Sequence, residues 1–211
     1  MKRPASVDDR ERLRLFCALR LPVDAVEELS RWQAEEFGKT GRVRVLGREQ
    51  IHITLAFLGS RPVDELEAIA AELRSACSAA EPAMLTVKGY RETRSVGMLV
   101  LDDKHGRAAS LAVDLHERLE RLGVYVRERR AWLPHLTVIR FRERPRLQPL
   151  LPELGPFMTS EAAVYMSVLR PSGAQYEVLQ SVALEGSERW IASKHWIPPS
   201  GRSSVLSARA P

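Results

Sequence analysis

Long apolar runs are missing from this sequence. No stretch of about 18 apolar residues occurs, the length a spanning helix needs, so a membrane-crossing helix is excluded. The opening segment, MKRPASVDDRER, has basic residues without an apolar stretch behind them. No secretory signal is visible, and the segment reads as a solvated arm. Cysteine is nearly absent: Cys17 and Cys77 are the two in 211 residues, each in apolar surroundings. That argues against a disulfide scaffold and fits buried, reduced thiols in a cytoplasmic protein. Lysine is sparse as well, so the net charge of +5 and the pI near 9.5 rest mostly on arginine. Arginine presents a planar fork of donors suited to phosphate, which is compatible with a polyanionic partner; an arginine-rich codon bias explains it equally well. What is present, 45% hydrophobic and 28% charged residues, is the content of an ordinary globular protein.

The strands and helices read from the sequence come in two similar cycles. Residues 13–21 (LRLFCALRL) read as a buried strand ended by Pro22. Asp24 is placed to cap a helix running to about Phe37, with Val26, Leu29 and Trp32 at helical spacing. A short strand over 43–46 and a stronger one over 50–58 follow. Gly59 and Pro62 then turn the chain into a helix over 63–79, with an apolar stripe of Leu66, Ile69, Ala70 and Leu73, before a strand over 83–90. The second cycle has a strand over 97–101, a helix over 107–122 stopped by Gly123, a short strand over 124–127 and a stronger one over 133–141. Two more strands are expected near 162–169 and 176–184.

Phe16 precedes Leu99 by 83 residues, and His52 precedes His135 by the same 83, which points to an internal duplication. Pro145, Pro149, Pro152 and Pro156 break the second cycle's counterpart of the 63–79 helix. The expected fold is α+β and bilobal, with two pseudo-twofold-related lobes, each a mostly antiparallel sheet flanked by helices. Residues 1–12 form the arm, 13–188 the duplicated domain and 189–211 a loose tail containing Pro198, Pro199 and Gly201. A monomer is expected.

The duplicated strands carry His52-Ile53-Thr54-Leu55 and His135-Leu136-Thr137-Val138. Side chains alternate along a strand, so each histidine shares a face with the threonine two residues on, while the aliphatic residues point to a core. If the repeats pack about a twofold, both polar pairs meet in one cleft. Two imidazoles facing one phosphate suit phosphodiester cleavage, because histidine titrates near about 6.5 and can serve as base or acid at neutral pH. Threonine hydroxyls can hold the nonbridging oxygens, where negative charge accumulates. Neither motif has a Cys, Asp or second His beside it on the same face, so neither a metal nor another cofactor is expected. His105, His116 and His195 have no repeat partner and read as solvent-facing.

Residues 14–22 (RLFCALRLP), 52–59 (HITLAFLG), 134–140 (PHLTVIR) and 169–179 (LRPSGAQYEVL) together resemble the bacterial and archaeal RNA 2′,3′-cyclic phosphodiesterases. These belong to the two-histidine (2H) phosphoesterase superfamily and are also known as 2′-5′ RNA ligases. The resemblance runs over about residues 13–185 and implies a bilobal fold with both histidines in a central cleft. It implies metal-independent hydrolysis of a 2′,3′-cyclic phosphate, at an RNA end or on a nucleotide, to a 2′-phosphate. By the same resemblance His52 protonates the leaving 3′-oxygen and His135 activates water; the chemistry of the residues alone leaves that choice open. Thr54 and Thr137 match phosphate-holding hydroxyls, and Arg140 matches a residue contacting phosphate or the terminal base.

Phe57 and Tyr176 match positions where an aromatic could stack on a base, although Phe57 reads first as a core residue. Trp132 reads as packing beside the second motif. One departure is Val138-Ile139, where relatives often have Leu-Ala. In a regular strand Ile139 would share the face of His135 and narrow the cleft. Arg127, Arg129, Arg130, Arg142 and Arg144 flank His135 and either steer RNA or form a solvated face.

Two alternatives share these residues. One is 2′-5′ ligation by the reverse reaction, which needs no ATP and fits the lack of a G-x-x-x-x-G-K-[ST] loop. Water at about 55 M outcompetes a scarce hydroxyl, which makes hydrolysis the default. The other is a non-catalytic module that binds RNA ends, for which retention of both histidines and both threonines has no purpose.

Overall fold

A computed structural model describes residues 11–171 and 173–185 of the chain. Residues 1–10 of the expected 1–12 arm, the tail and His195 lie outside the described residues, and Arg12 already belongs to the first strand. Nine strands and three α-helices follow one another among the described residues. The first half contains β1 (Arg12–Leu19), α1 (Val23–Phe37), β2 (Arg44–Val45), β3 (Ile53–Pro62), α2 (Leu66–Ser78) and β4 (Ala83–Glu92). The second contains β5 (Val96–Asp102), α3 (Arg107–Arg121), β6 (His135–Arg140), β7 (Phe157–Thr159), β8 (Glu161–Arg170) and β9 (Gly173–Ala183).

The strands form two antiparallel sheets, ordered β3-β1-β8-β9 and β2-β6-β5-β4-β7. The fold is therefore α+β with two sheets, and each sheet is completed by strands of the other half. β8 and β9 extend the sheet of β1 and β3, while β4 extends the sheet of β5 and β6. Helices cross over in the same way: α3, from the second half, packs on β3, and α1, from the first, packs on β2.

From Leu15 to Leu19 β1 is an unbroken apolar run because both of its faces are covered there. Leu15, Cys17 and Leu19 enter the main core, while Phe16 and Ala18 join Ala163 and Tyr165 on the opposite face. Cys17 and Cys77 are buried free thiols, and burial pushes both up to about 12, which leaves them protonated and unreactive.

Several local expectations change. Asp24 lies inside the first turn of α1, after Pro22, where its Oδ1 accepts the Ala25 N–H at 2.9 Å. Residues 124–127 are not a strand, because the Glu120 carboxylate takes the Arg127 N–H at 2.9 Å and draws that segment back onto α3. Residues 142–156 are irregular, as the prolines require, and side chains hold them in place. Buried Glu92 accepts the backbone N–H groups of Arg146 and Leu147, Trp32 Nε1 donates to the Leu150 carbonyl at 2.7 Å, and Glu36 accepts the Leu150 N–H. β7, hidden in the sequence behind Pro156, pairs with β4 through Ala83–Leu85.

Candidate functional site

Strand register locates the duplication more finely than sequence spacing does. Ile53 pairs with Leu19, and Leu136, 83 residues after Ile53, pairs with Leu99. Leu99 is thus the counterpart of Leu19, 80 residues before it, and not of Phe16. The histidine offset stands and the Phe16 landmark does not. The extra residues of the second repeat lie in the turn between β5 and α3, since α1 begins four residues after Leu19 and α3 eight after Leu99.

β3 and β6 share a second feature. Thr54 pairs with Ala18 and Ala56 with Cys17, which leaves Leu55 as an extra residue; Thr137 pairs with Met98 and Ile139 with Gly97, which leaves Val138 extra. Each is a β-bulge, and the two fall at equivalent positions. A bulge resets side-chain alternation. After Thr137, both Val138 and Ile139 are fully buried and Arg140 returns to the histidine face. The expectation that Ile139 lines the cleft is therefore wrong, because the strand is not regular: its side chain packs over Gly97, where a Cβ would collide with Ile139 Cγ1 and the Tyr90 hydroxyl. In β3, Leu55 and Ala56 are likewise buried and Phe57 emerges 49% exposed, with the Arg14 guanidinium 4.9 Å from its ring centroid. Phe57 is not a core residue. It occupies in the first repeat the position that Arg140 occupies in the second.

His52 lies among aromatic rings, on the face of its sheet that carries Phe16 and Tyr165. Phe16, Tyr176 and Tyr165 lie 4.8, 5.3 and 5.6 Å from its ring centroid. Its Nδ1 is fully enclosed without a formed hydrogen bond, although the ring as a whole is half-buried, so Nε2 is the nitrogen open to the cleft. Burial lowers its pKa to about 4; the Gln50 carbonyl dipole opposes that, and positive charge on His135 and Arg140 adds to it. Those electrostatic influences bring His52, His135 and Arg140 into one neighbourhood although 83 residues separate the histidines.

His135 is half-buried at the start of β6, and its Nδ1–H donates to the Leu133 carbonyl at 2.8 Å. Nε2 is again the free nitrogen. Leu133 is the repeat counterpart of Gln50, so a carbonyl two residues back faces both rings. Thr54 and Thr137 are half-buried on the corresponding faces. Arg44 lies directly across from Arg140 in the β2–β6 pair.

Gln50 and His116 were missed as supporting residues by sequence reasoning, which read Trp132 correctly as packing. Gln50 is buried; its Nε2 donates to the Ala174 carbonyl in β9 and its Oε1 accepts the Gly47 N–H, so the turn before His52 is tied to the strand of Tyr176. Trp132 Nε1 donates to the Thr54 carbonyl at 2.9 Å, linking the segment before His135 to the first motif strand. His116 is buried, contrary to its expected exposure, because helical phase places it on the inner face of α3 beside Leu115 and Leu119. The repeat offset could have found it, since Gln33, 83 residues earlier, is also a buried polar residue on a helix. His105 is exposed as expected. Of the arginines flanking His135, Arg127, Arg130 and Arg144 are engaged by Glu117 and Glu120, Glu128 and Glu92, while Arg129 and Arg142 stay exposed. Among the described residues no three His, Cys, Asp or Glu side chains converge as a metal-ligand set, and no helix is long and apolar enough to cross a membrane.

Known proteins resemble the chain in sequence and in fold. Residues 21–173 match the family model described as the 2′-5′ RNA ligase superfamily. A curated protein named RNA 2′,3′-cyclic phosphodiesterase from Methanocaldococcus jannaschii is 24% identical over 179 residues, covering 80% of this chain and 99% of the relative. One of the same name from Methanothermobacter thermautotrophicus is 28% identical over 178 residues, covering 78% and 95%. Among solved structures, TT0787 of Thermus thermophilus aligns with a TM-score of 0.72 at 25% identity, covering 83% of this chain and all of that one. The Escherichia coli LigT complex with 3′-AMP aligns with a TM-score of 0.72 at 24% identity, covering 83% and 99%, a likeness of fold.

Proposed function

Because the chain belongs to the 2′-5′ RNA ligase superfamily, we propose that it hydrolyses a 2′,3′-cyclic phosphate, at an RNA end or on a nucleotide, to a 2′-phosphate without a metal. The observation that carries this reading is the pair of H-x-T strands, bulged at equivalent positions, with the charge of His135 and Arg140 acting on His52. The names of the archaeal relatives point to the same reaction.

In the reaction, His135 Nε2 takes a proton from water as the water oxygen bonds to phosphorus. The bond from phosphorus to the 3′-oxygen breaks, and His52 Nε2 delivers its proton to that oxygen, leaving a 3′-hydroxyl and a 2′-phosphate. Thr54, Thr137 and Arg140 hold the nonbridging oxygens as charge develops there. Phe57 and Tyr176 are the candidate base contacts.

The electrostatics of His52 add a condition. In the free protein its pKa of about 4 keeps it neutral at pH 7. An anionic phosphate in the cleft favours the charged ring and offsets the Arg140 charge, so substrate binding and protonation of His52 are linked. The bound anion raises the proton affinity of the ring, which takes its proton from solvent, and the acid enters the reaction charged.

Incubation with a nucleoside 2′,3′-cyclic phosphate in EDTA, followed by identification of the product, tests the reading. Turnover to the 2′-phosphate is expected. Loss of activity in EDTA would overturn the metal-free mechanism, joining to a 5′-hydroxyl as the main outcome would assign ligation instead, and tight RNA binding without turnover would leave only a binding module.

A further inference from the structure

The two bulges that re-aim β3 and β6 are each gripped by a buried polar side chain from the crossed-over helix. Gln33 of α1, 1% exposed, donates from Nε2 to the Val138 carbonyl at 2.7 Å. The His116 Nε2–H of α3, 6% exposed, donates to the Leu55 carbonyl at 2.8 Å, with the Tyr125 hydroxyl 3.5 Å from the same nitrogen. Val138 and Leu55 are the extra residues of their bulges, and both pairs keep the 83-residue offset: Gln33 to His116, and Leu55 to Val138. Buried donors facing a carbonyl satisfy each other, whereas either alone is costly.

We propose that Gln33 and His116 are positioning residues for the cleft, each fixing the bulge that turns Arg140 or Phe57 back onto the histidine face. Without the extra residue, strict alternation would send Arg140 and Phe57 into the core and Ile139 and Ala56 into the cleft. The bulged conformation therefore decides whether a guanidinium faces the phosphate. The second-repeat clamp is reinforced: Leu46 N–H also donates to the Val138 carbonyl at 3.1 Å, and Gln33 reaches the Leu46 carbonyl at 3.4 Å. In the first repeat β3 is the sheet edge, and His116 supplies the grip from α3. Each clamp joins a helix of one half to the motif strand of the other, so the crossed-over packing of the fold and the geometry of the cleft are coupled.

The kinetic part of the test rests on the proposed phosphodiesterase reading, so a substrate-free measurement accompanies it. Gln33→Leu, Arg140→Met and the double variant are compared by kcat/KM on a nucleoside 2′,3′-cyclic phosphate and by NMR titration of His52. Gln33→Leu lowers kcat/KM on the order of 10- to 100-fold in the wild-type background, as misplacement of a phosphate-holding group does, and adds nothing once Arg140 is Met. It also moves the His52 titration upward, in the direction Arg140→Met moves it, because both withdraw the same positive charge from the ring. An equal loss in both backgrounds, or an unmoved His52 titration, would overturn the clamp. If the wild-type protein has no turnover, the phosphodiesterase reading fails and the titration still decides the clamp. Should Gln33→Leu not fold, the first repeat carries the test: His116→Leu raises KM with kcat retained, and His116→Gln, which keeps a donor, rescues it. Equal KM in those two variants would contradict the proposal.

Discussion

The motif strands β3 and β6 carry the same His-x-Thr pattern, the same bulge and a carbonyl facing the same ring nitrogen, yet their histidines live in different surroundings. His52 is packed against three aromatic rings, with Nδ1 sealed off and unbonded, and is driven to a pKa of about 4. His135 stands at the open end of β6, and its Nδ1–H is held by the Leu133 carbonyl. Duplication supplies two equivalent imidazoles, and their neighbours then differ: aromatic rings surround His52, while a backbone carbonyl holds His135. The position after each bulge diverges too: Arg140 in one repeat can meet phosphate, and Phe57 in the other offers an aromatic face.

Variants can break this comparison at each level. The largest effect is expected from the rings themselves. His52→Ala and His135→Ala should each lower the rate by at least about 10²-fold with folding intact, the usual cost of losing a general acid or base. A wild-type rate in either, with unchanged circular dichroism, would remove that histidine from the mechanism.

The next effect separates the histidines by stability. The folded His52 binds its proton near pH 4, while an unfolded histidine does so near about 6.5. Between those values the unfolded chain holds more protons, so acid favours unfolding. The His52 contribution is intact above about pH 6.5 and lost as pH falls to about 4, by at most roughly 3 kcal/mol, because part of the ring meets solvent. Denaturant titrations across that window should show a stability slope in wild type that flattens in His52→Gln. An unchanged slope would mean that His52 is not held neutral.

Thr54→Val and Thr137→Val should each lower kcat/KM by about tenfold, equivalent to about 1.4 kcal/mol, since each removes one hydrogen bond to developing charge. Substitution by Ser should restore most of it. Activity unaffected by both Val variants would exclude the hydroxyls from phosphate binding. The smallest expected effect is at Phe57: Phe57→Leu should alter KM between cyclic nucleotides of different bases by a few-fold while leaving kcat similar, as loss of a stacking face does. An identical base profile would make Phe57 a partner of Arg14 alone.

Much of this was legible in the sequence, for identifiable reasons. β1 carries a continuous apolar run, α1 and α3 carry strong apolar periodicity, and the paired H-x-T motifs keep their spacing because they occupy equivalent strands. The illegible parts are those in which one residue breaks a period or a distant side chain intervenes. The bulges at Leu55 and Val138 leave no local signature, so strict alternation puts Ile139 and Phe57 on the faces opposite to those they occupy. The strand expected over 124–127 fails through a contact from Glu120 in the preceding helix. The crossing of α1 and α3 onto the other half's sheet is a tertiary choice that neither helix encodes alone, and with it went the roles of Gln33 and His116.

The most direct test of paired catalysis is a double-mutant cycle on His52 and His135, with kcat/KM measured on a nucleoside 2′,3′-cyclic phosphate. Residues that act as a unit lose their joint contribution when either is removed. The double variant His52→Ala/His135→Ala should be no slower than the slower single variant. Losses that multiply would show two independent contributions and contradict a shared acid–base cleft.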